Sequence, residues 1–222
     1  MPEKSSIFDM IGPVMIGPSS SHTAGVVKIG NVIHKILKET PQKVTITFYN
    51  SFARTYEGHG SDRAILAGIL GFLPDDKRIK TAFDHAEENG LEFTFKPVGN
   101  ASLYHPNTIR IVAEKGERKV EILGVSRGGG LISIVEVDGF MSNFDTTLHT
   151  LIVLADDRKG SIAFLCNIIA QDESNIANMT VSRKGKNHLA CQFMELDSPL
   201  RPITLEYIKS LNWVKQLEYI TV

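Results

Sequence analysis

The chain has 222 residues, of which 42% are hydrophobic, and this is enough apolar material for one large domain or two ordinary ones. Its 24 lysine and arginine residues are balanced by 25 aspartate and glutamate residues, so the surface has no strong net field to attract nucleic acid or an acidic membrane. We therefore expect a small-molecule ligand or a protein partner, and no binding to nucleic acid or membrane.

The two cysteines, Cys166 and Cys191, each lie in an apolar run, which predicts small buried hydrophobic side chains. Two thiols without a CxxC motif cannot supply a four-thiolate zinc site or an iron–sulfur cluster. The stretch Met1–Ser6 lacks the apolar segment of a signal peptide, and no run approaches the roughly 18 apolar residues of a membrane span. We expect a cytoplasmic chain that binds no metal by itself.

The first half of the chain alternates between helical and strand patterns. A helix is predicted from Ser20 or Ser21 up to Pro41, with Val26, Ile29, Ile33 and Ile36/Leu37 on its apolar face. Residues 44–49 alternate as a half-buried strand, residues 50–54 form a loop, and a second helix begins at Ser61.

Four further strands are predicted at residues 91–95, 108–112, 120–123 and 131–135. Gly128, Gly129 and Gly130 lie between the last two strands, with no helix after them, so a tight hairpin turn is preferred over a phosphate-binding loop. The first domain, residues 1–143, is therefore predicted to be α+β with a mainly antiparallel sheet.

Residues 141–147 read as a short polar linker before a second domain at residues 148–222. The order predicted there is strand, helix, strand, strand, helix, strand. This βαββαβ order is typical of a ferredoxin-like sandwich.

Five small polar side chains lie at the amino terminus of the first helix. A helix amino terminus carries free N–H groups and partial positive charge, so Ser19, Ser20, Ser21, His22 and Thr23 could hold a carboxylate or phosphate there. The alternative is that one serine caps the helix while the others are solvated.

The string Gly58-His59-Gly60-Ser61-Asp62 places a histidine between two glycines at the start of the second helix. His59 could transfer a proton near neutral pH, and Asp62 could orient it or could simply complement the helix dipole. His105 precedes a predicted strand, where a solvated turn is the preferred interpretation from the residues alone. A serine hydrolase is disfavoured because the G-x-S-x-G elbow is missing, and a zinc site of His22, His59 and His105 lacks ligand spacing.

In order and spacing, Gly17–Gly25, Gly58–Asp62, His105–Thr108 and Gly128–Gly130 resemble the beta subunit of bacterial iron–sulfur L-serine dehydratase with a C-terminal ACT domain. The resemblance covers nearly the whole chain. It implies removal of the α-proton and hydroxyl of L-serine, followed by hydrolysis of the enamine to pyruvate and ammonia. It also implies a partner alpha subunit whose [4Fe–4S] cluster acts on the serine hydroxyl, so that this chain should be inactive alone.

Carried over by position, the resemblance assigns His59 as catalytic base and Asp62 as the group that orients it. The expected substrate-binding residues are Ser19, Ser20, Ser21, His22, Thr23, Asn50, Ser51, His105 and Asn107.

In the tail, the resemblance places an effector site where ACT modules bind amino acids between paired copies, with L-serine as the expected effector of a homodimer. The matching residues are Asp157, Arg158, Lys159, Gly160, Asn175 and Ile176. Two alternatives remain at this point: a tail that only dimerises, and a stand-alone amino-acid-sensing module with no catalytic role.

Overall fold

The computed structural model describes residues 14–186 and 188–222, and the chain divides into two compact units, Met1–Asp138 and Gly139–Val222. The stretch Met1–Ser6, used above to argue against a signal peptide, lies outside the described residues. Within those two ranges, no helix is both long enough and apolar enough to cross a membrane.

The first unit contains a sheet whose strands lie in the order β2-β1-β3-β4-β5. Strands β1 and β2 are parallel, whereas the other neighbouring pairs are antiparallel, so the prediction of a mainly antiparallel sheet is confirmed. The strands are β1 (Lys43–Tyr49), β2 (Glu92–Val98), β3 (Thr108–Lys115), β4 (Arg118–Gly128) and β5 (Leu131–Val137).

Helix α1 (Gly25–Leu37) packs against strands β3, β4 and β5, and helix α3 (Ser61–Ile69) packs against α1. The predicted apolar face of α1 is buried along its length, which confirms the 3.6-residue pattern. The helix ends where Lys38 adopts a left-handed conformation with φ of 62°, ahead of Pro41. Gly30 and Gly68 face each other across the two helices, so the backbones approach closely.

Three segments of the chain differ from the prediction. Residues Ser51–Thr55, expected as loop, form the short helix α2, and a 3-10 turn (Lys77–Thr81) followed by helix α4 (Ala82–Glu88) fills the region before β2. The expected linker at 141–147 is wrong over its first half, because Phe140–Phe144 forms strand β6. Its side chains alternate between buried and exposed, and this period of two outweighs the polar composition.

The glycine run forms the hairpin turn that was predicted between β4 and β5. Gly128, Gly129 and Gly130 have φ values of 94°, 60° and 79°. These left-handed conformations favour glycine over any other residue.

The second unit has the βαββαβ order that the sequence predicted, with an antiparallel sheet in the order β10-β7-β9-β8. Cys191 is buried in this unit, as expected, whereas Cys166 is only half-buried because the neighbouring Leu165 faces the core instead. The elements after β6 are β7 (His149–Asp156), α5 (Ser161–Gln171), β8 (Ile176–Arg183), β9 (Leu189–Leu196), α6 (Pro202–Ser210) and β10 (Val214–Ile220).

Candidate functional site

The serine-rich string forms a single wide turn of π-helix, Ser20–Ala24, that runs directly into α1. Ser19 caps this turn: its hydroxyl accepts a hydrogen bond from the His22 N–H at 3.2 Å. The Ser21 hydroxyl lies 3.0 Å from His22 Nδ1 and 3.3 Å from the Ser19 hydroxyl. The string therefore supplies both a helix cap and a cluster of hydroxyl groups around one histidine.

Two buried serines hold this string in place from other elements. Ser61, at the start of α3, donates a hydrogen bond to the His22 carbonyl at 2.7 Å, and Ser126, on β4, donates to the Ser21 carbonyl at 2.9 Å. Both serines have 0% exposure. The sequence showed Ser61 only as a helix start and gave no motif around Ser126. The residue in the sequence that relates to the Ser126 contact is Gly25, since a Cβ at that position would lie 2.3 Å from the Ser126 hydroxyl oxygen.

His59 lies beside His22, with their ring centroids 4.8 Å apart and their planes tilted by 49°. His59 is exposed, whereas His22 is half-buried and also packs at a right angle to the Phe52 ring, with the ring centroids 4.8 Å apart. Burial and, secondarily, the nearby His59 charge lower the pKa of His22. His22 is therefore neutral at neutral pH, so it can donate or accept a hydrogen bond without carrying a charge.

The second ring nitrogen of His22, Nε2, is buried and has no hydrogen-bond partner among the described residues, 14–186 and 188–222. A buried polar atom without a partner is costly, and it marks a point where a ligand or water would be stabilised.

Asp62 does not contact His59 through a hydrogen bond in the described part of the chain. Its carboxylate instead accepts the Arg63 N–H at 2.7 Å, and burial raises the pKa of this carboxyl. The ring contact of His59 is thus with another imidazole, that of His22.

Backbone hydrogen bonds bring the remaining predicted segments to the same region. The Ser51 N–H donates to the Pro106 carbonyl at 3.0 Å, and the Ser126 N–H donates to the Asn107 carbonyl at 3.0 Å. His105 is exposed, and its Nδ1 accepts the Asn107 N–H at 3.1 Å. Ser126 therefore connects Asn107 directly to the serine-rich string.

The described residues do not fit a metal centre. Both cysteines lie in the second unit, on α5 and β9, and no cluster of three or more His, Cys, Asp or Glu side chains in the described ranges could hold a metal ion. The zinc alternative of His22, His59 and His105 thus has no structural support, and the described residues offer no set of ligands for an iron–sulfur cluster.

The predicted effector residues of the tail lie at opposite ends of α5. Asp157 and Gly160 precede the helix, and Asn175 and Ile176 follow it. A helix of 11 residues is about 16 Å long, at a rise of ~1.5 Å per residue. The Asp157 carboxylate pairs with Arg183 at 3.3 Å, and the Asn175 amide donates to Asp197 at 2.9 Å. One protomer therefore does not bring the two halves of this set together.

Comparison with known proteins places the chain in a family. The family described as serine dehydratase beta chain matches residues 6–136. A probable L-serine dehydratase beta chain from Bacillus subtilis is 40% identical over 212 residues, which is 96% of both chains. The L-serine dehydratase beta chain of Peptoniphilus asaccharolyticus is 35% identical over 219 residues, which is 98% of both chains.

Among solved structures, the ACT domain of a GTP pyrophosphokinase from Chlorobium tepidum covers 34% of this chain and 86% of its own length, with 16% identity. Its TM-score of 0.27 is too low to bear on the fold. The sequence relationships extend over nearly the full length of both beta chains. The chain therefore belongs to the serine dehydratase beta chain family.

Proposed function

We propose that this chain is the beta subunit of an L-serine dehydratase, which converts L-serine to pyruvate and ammonia together with an alpha subunit. The family relationship supports the reaction. The assignment to particular residues rests on one observation: the ring centroids of His22 and His59 lie 4.8 Å apart. This contact is at the amino-terminal end of the helical segment, beside the serine hydroxyls.

His59 is the proposed base for the α-proton of serine. It is exposed, so a substrate can reach it, and an imidazole ring can both accept and donate a proton. The neutral His22 next to it adds no positive charge, so His59 can accept the proton without strong repulsion.

The serine-rich string is the proposed carboxylate side of the substrate site. The hydroxyls of Ser19 and Ser21 lie 3.4 and 3.0 Å from His22 Nδ1, at the amino-terminal end of the helical segment, where the helix dipole is positive. His22 Nε2, buried and without a partner among the described residues, is the proposed hydrogen-bonding atom for the bound substrate.

The proposed [4Fe–4S] cluster belongs to the alpha subunit, because the two cysteines of this chain lie in the second unit and do not cluster with other ligands in the described residues. The beta subunit in this proposal binds the substrate carboxylate, positions the α-carbon and moves one proton.

The test is anaerobic reconstitution of this chain with its cysteine-rich alpha partner, followed by an assay for pyruvate on each chain and on the mixture. We expect turnover only in the mixture, and its loss on His59→Asn with subunit association intact. His85→Asn is the matched control, because His85 lies on α4, where it pairs with Glu88 at 3.0 Å. Full activity of His59→Asn would remove this residue from the mechanism, and a beta chain that binds serine but adds nothing to turnover would favour the sensing module.

The tail is proposed to form a homodimer that binds L-serine as an effector. Asp157 and Gly160 lie at one end of α5, and Asn175 and Ile176 lie at the other. Two copies could combine the two sets in one site, whereas a single copy could not.

A further inference from the structure

The second unit, the tail of the chain, carries opposite charges at the two ends of its sheet. At one end, the Asp157 N–H donates to the His188 carbonyl and the Asp156 N–H donates to the Trp213 carbonyl, both at 2.9 Å. These bonds join residues 156–160, 183–188 and 213–215 into one surface. At the other end, the Asp197 N–H donates to the Asn175 carbonyl at 3.1 Å, which joins residues 172–175 to residues 197–201.

The first of these surfaces, named here the basic end, has a net positive charge. Its two carboxylates are already paired, Asp156 with Lys215 at 2.8 Å and Asp157 with Arg183 at 3.3 Å. The other lysine and arginine side chains of the three segments are exposed, and they are Arg158, Lys159, Lys184 and Lys186. Basic residues therefore outnumber acidic residues at this end, and the excess charge faces solvent.

The second surface, named here the acidic end, has the reverse balance. Its one basic residue, Arg201, pairs with the buried carboxylate of Asp172. The other charged side chains of residues 172–175 and 197–201 are those of Glu173 and Asp197, and both residues are exposed. Negative charge is therefore in excess at this end.

An uncharged edge of the tail runs between the two ends. Helix α5 contains no Asp, Glu, Lys or Arg, and β8 is the last strand of the sheet, with Arg183 at the basic end as its one charged residue. Ile162 on α5 is 40% exposed, and Met179 and Val181 on β8 are 39% and 42% exposed. Met179 lies opposite the core residue Met194, so these side chains lie on the side of the sheet that α5 covers. Large apolar side chains without neighbouring charges are typical of a protein contact.

A second copy of the same tail matches this surface when it is turned end for end. The uncharged edges then face each other, and each basic end meets the acidic end of the other copy. Such a pair has twofold symmetry and closes, because both charged contacts form at once. Stacking of tails end to end would satisfy the charges too, but it would leave the apolar edge exposed and would build an open filament.

We propose that two copies of this chain pair their tails antiparallel along α5 and β8, with the orientation set by contacts between the basic end of one copy and the acidic end of the other. This inference rests on the proposed pairing of the tails and adds its geometry and its cause. The same orientation brings Gly160, at the basic end of one copy, to the side of Asn175, at the acidic end of the other. One protomer keeps these two residues apart.

The test is sedimentation velocity on the isolated full-length chain, so its outcome does not depend on turnover. The dissociation constant of the dimer should rise at least about tenfold between about 0.05 and 0.5 M NaCl, because salt screens exposed charges. A basic-end variant carries Lys159→Glu and Lys186→Glu, and an acidic-end variant carries Glu173→Lys and Asp197→Lys. Each variant alone should pair at least about tenfold more weakly, because like charges then meet at both contacts. An equimolar mixture of the two should pair like the unmodified chain, because the mixed dimer again joins opposite charges.

Lys209→Glu and Glu206→Lys are the matched controls. Both residues are exposed on α6, which packs against β10 at the opposite edge of the sheet, so these reversals should leave the dissociation constant unchanged. Circular dichroism establishes that every variant is folded.

Two sets of results would overturn the inference, and they differ in what else they remove. A dimer that is insensitive to salt and to both double variants, or a mixture of folded variants that does not pair, contradicts the charge-set orientation and leaves tail pairing itself intact. An unmodified chain that stays monomeric in low salt at every concentration contradicts tail pairing as well, and it would direct the basic end to a different, acidic partner. The proposed reaction is tested separately, by turnover of the reconstituted complex.

Discussion

The imidazole rings of His22 and His59 are in contact, with centroids 4.8 Å apart, although they belong to different motifs and different helices. Two imidazolium groups at this separation repel each other, and burial adds a further penalty for charging His22. Protonation of His22 is therefore disfavoured both by its burial and by its neighbour, whereas the His59 ring is exposed to solvent.

The first prediction concerns the titration of His22. We expect the pKa of His22, followed by NMR of its ring, to lie below the usual range for histidine, and to rise in His59→Gln because the neighbouring charge is removed. It should remain below the usual range in that variant, since burial is the larger cause. A His22 pKa that does not change in His59→Gln would contradict a direct interaction between the rings.

The same shift predicts how stability depends on pH. The folded-state pKa of His22 is lower than its unfolded value of about 6.5, so the unfolded chain binds more protons as the pH falls below ~6.5. The contribution of His22 to stability is thus present above that pH and is lost on acidification. We expect urea unfolding to show a smaller loss of stability in His22→Gln than in the wild type between about pH 7.5 and 5.5. Parallel pH profiles for the two proteins would argue against this contribution.

The residues predicted from sequence and those found only in the structure differ in how they act. His22 and His59 could be named because a histidine among serines or glycines at a helix start has a chemical signature in the sequence. Ser126 could not, because it acts through one hydrogen bond to the Ser21 carbonyl, and that contact depends on how β4 packs against the start of α1.

The fold could be predicted only where an element has a periodic pattern of apolar residues in the sequence. The apolar spacing of α1 and the alternation of β1 identified those elements directly. Helix α2 is only five residues long, too short for a periodic pattern, and β6 was obscured by its polar residues. The Asn50 amide donates to the Ala101 and Tyr104 carbonyls, about 50 residues further along the chain, and no local pattern contains that relationship.

The second set of variants tests the two buried serines that hold the serine-rich string. Ser61→Ala and Ser126→Ala each leave a backbone carbonyl without its partner, which should lower the free energy of unfolding by about 1–3 kcal/mol. Turnover in the reconstituted complex should fall as well, because the string loses its fixed position. Ser102→Ala is the control, since Ser102 is exposed and should change stability by less than about 0.5 kcal/mol. Wild-type stability and turnover in both variants would show that the string is held by other contacts.

The close approach of α1 and α3 gives a prediction for the scaffold. A Cβ on Gly68 would lie 2.1 Å from the Val27 carbonyl oxygen, so Gly68→Ala forces the helices apart. We expect urea unfolding to show that the free energy of unfolding is lower by about 1–3 kcal/mol. Gly99→Ala is the control because a Cβ there meets nothing within 4 Å. Equal stability of the two variants would mean that the helices can separate at little cost.

The final prediction follows from the arrangement of the tail. Because α5 separates Asp157 and Gly160 from Asn175 and Ile176, a serine response that uses both sets requires two copies of the tail. The response of the reconstituted enzyme to serine, measured as a lag in pyruvate production, should therefore weaken as the complex is diluted below the concentration at which the tails pair. Asn175→Ala should reduce the lag without changing the mass of the assembly, whereas Asn178→Ala, which removes an amide from the same segment, should leave the lag unchanged. The contrary result is a lag that does not change when the complex is diluted and that survives Asn175→Ala. It would indicate that the tail serves only for dimerisation, because the paired effector site would then contribute nothing to the kinetics.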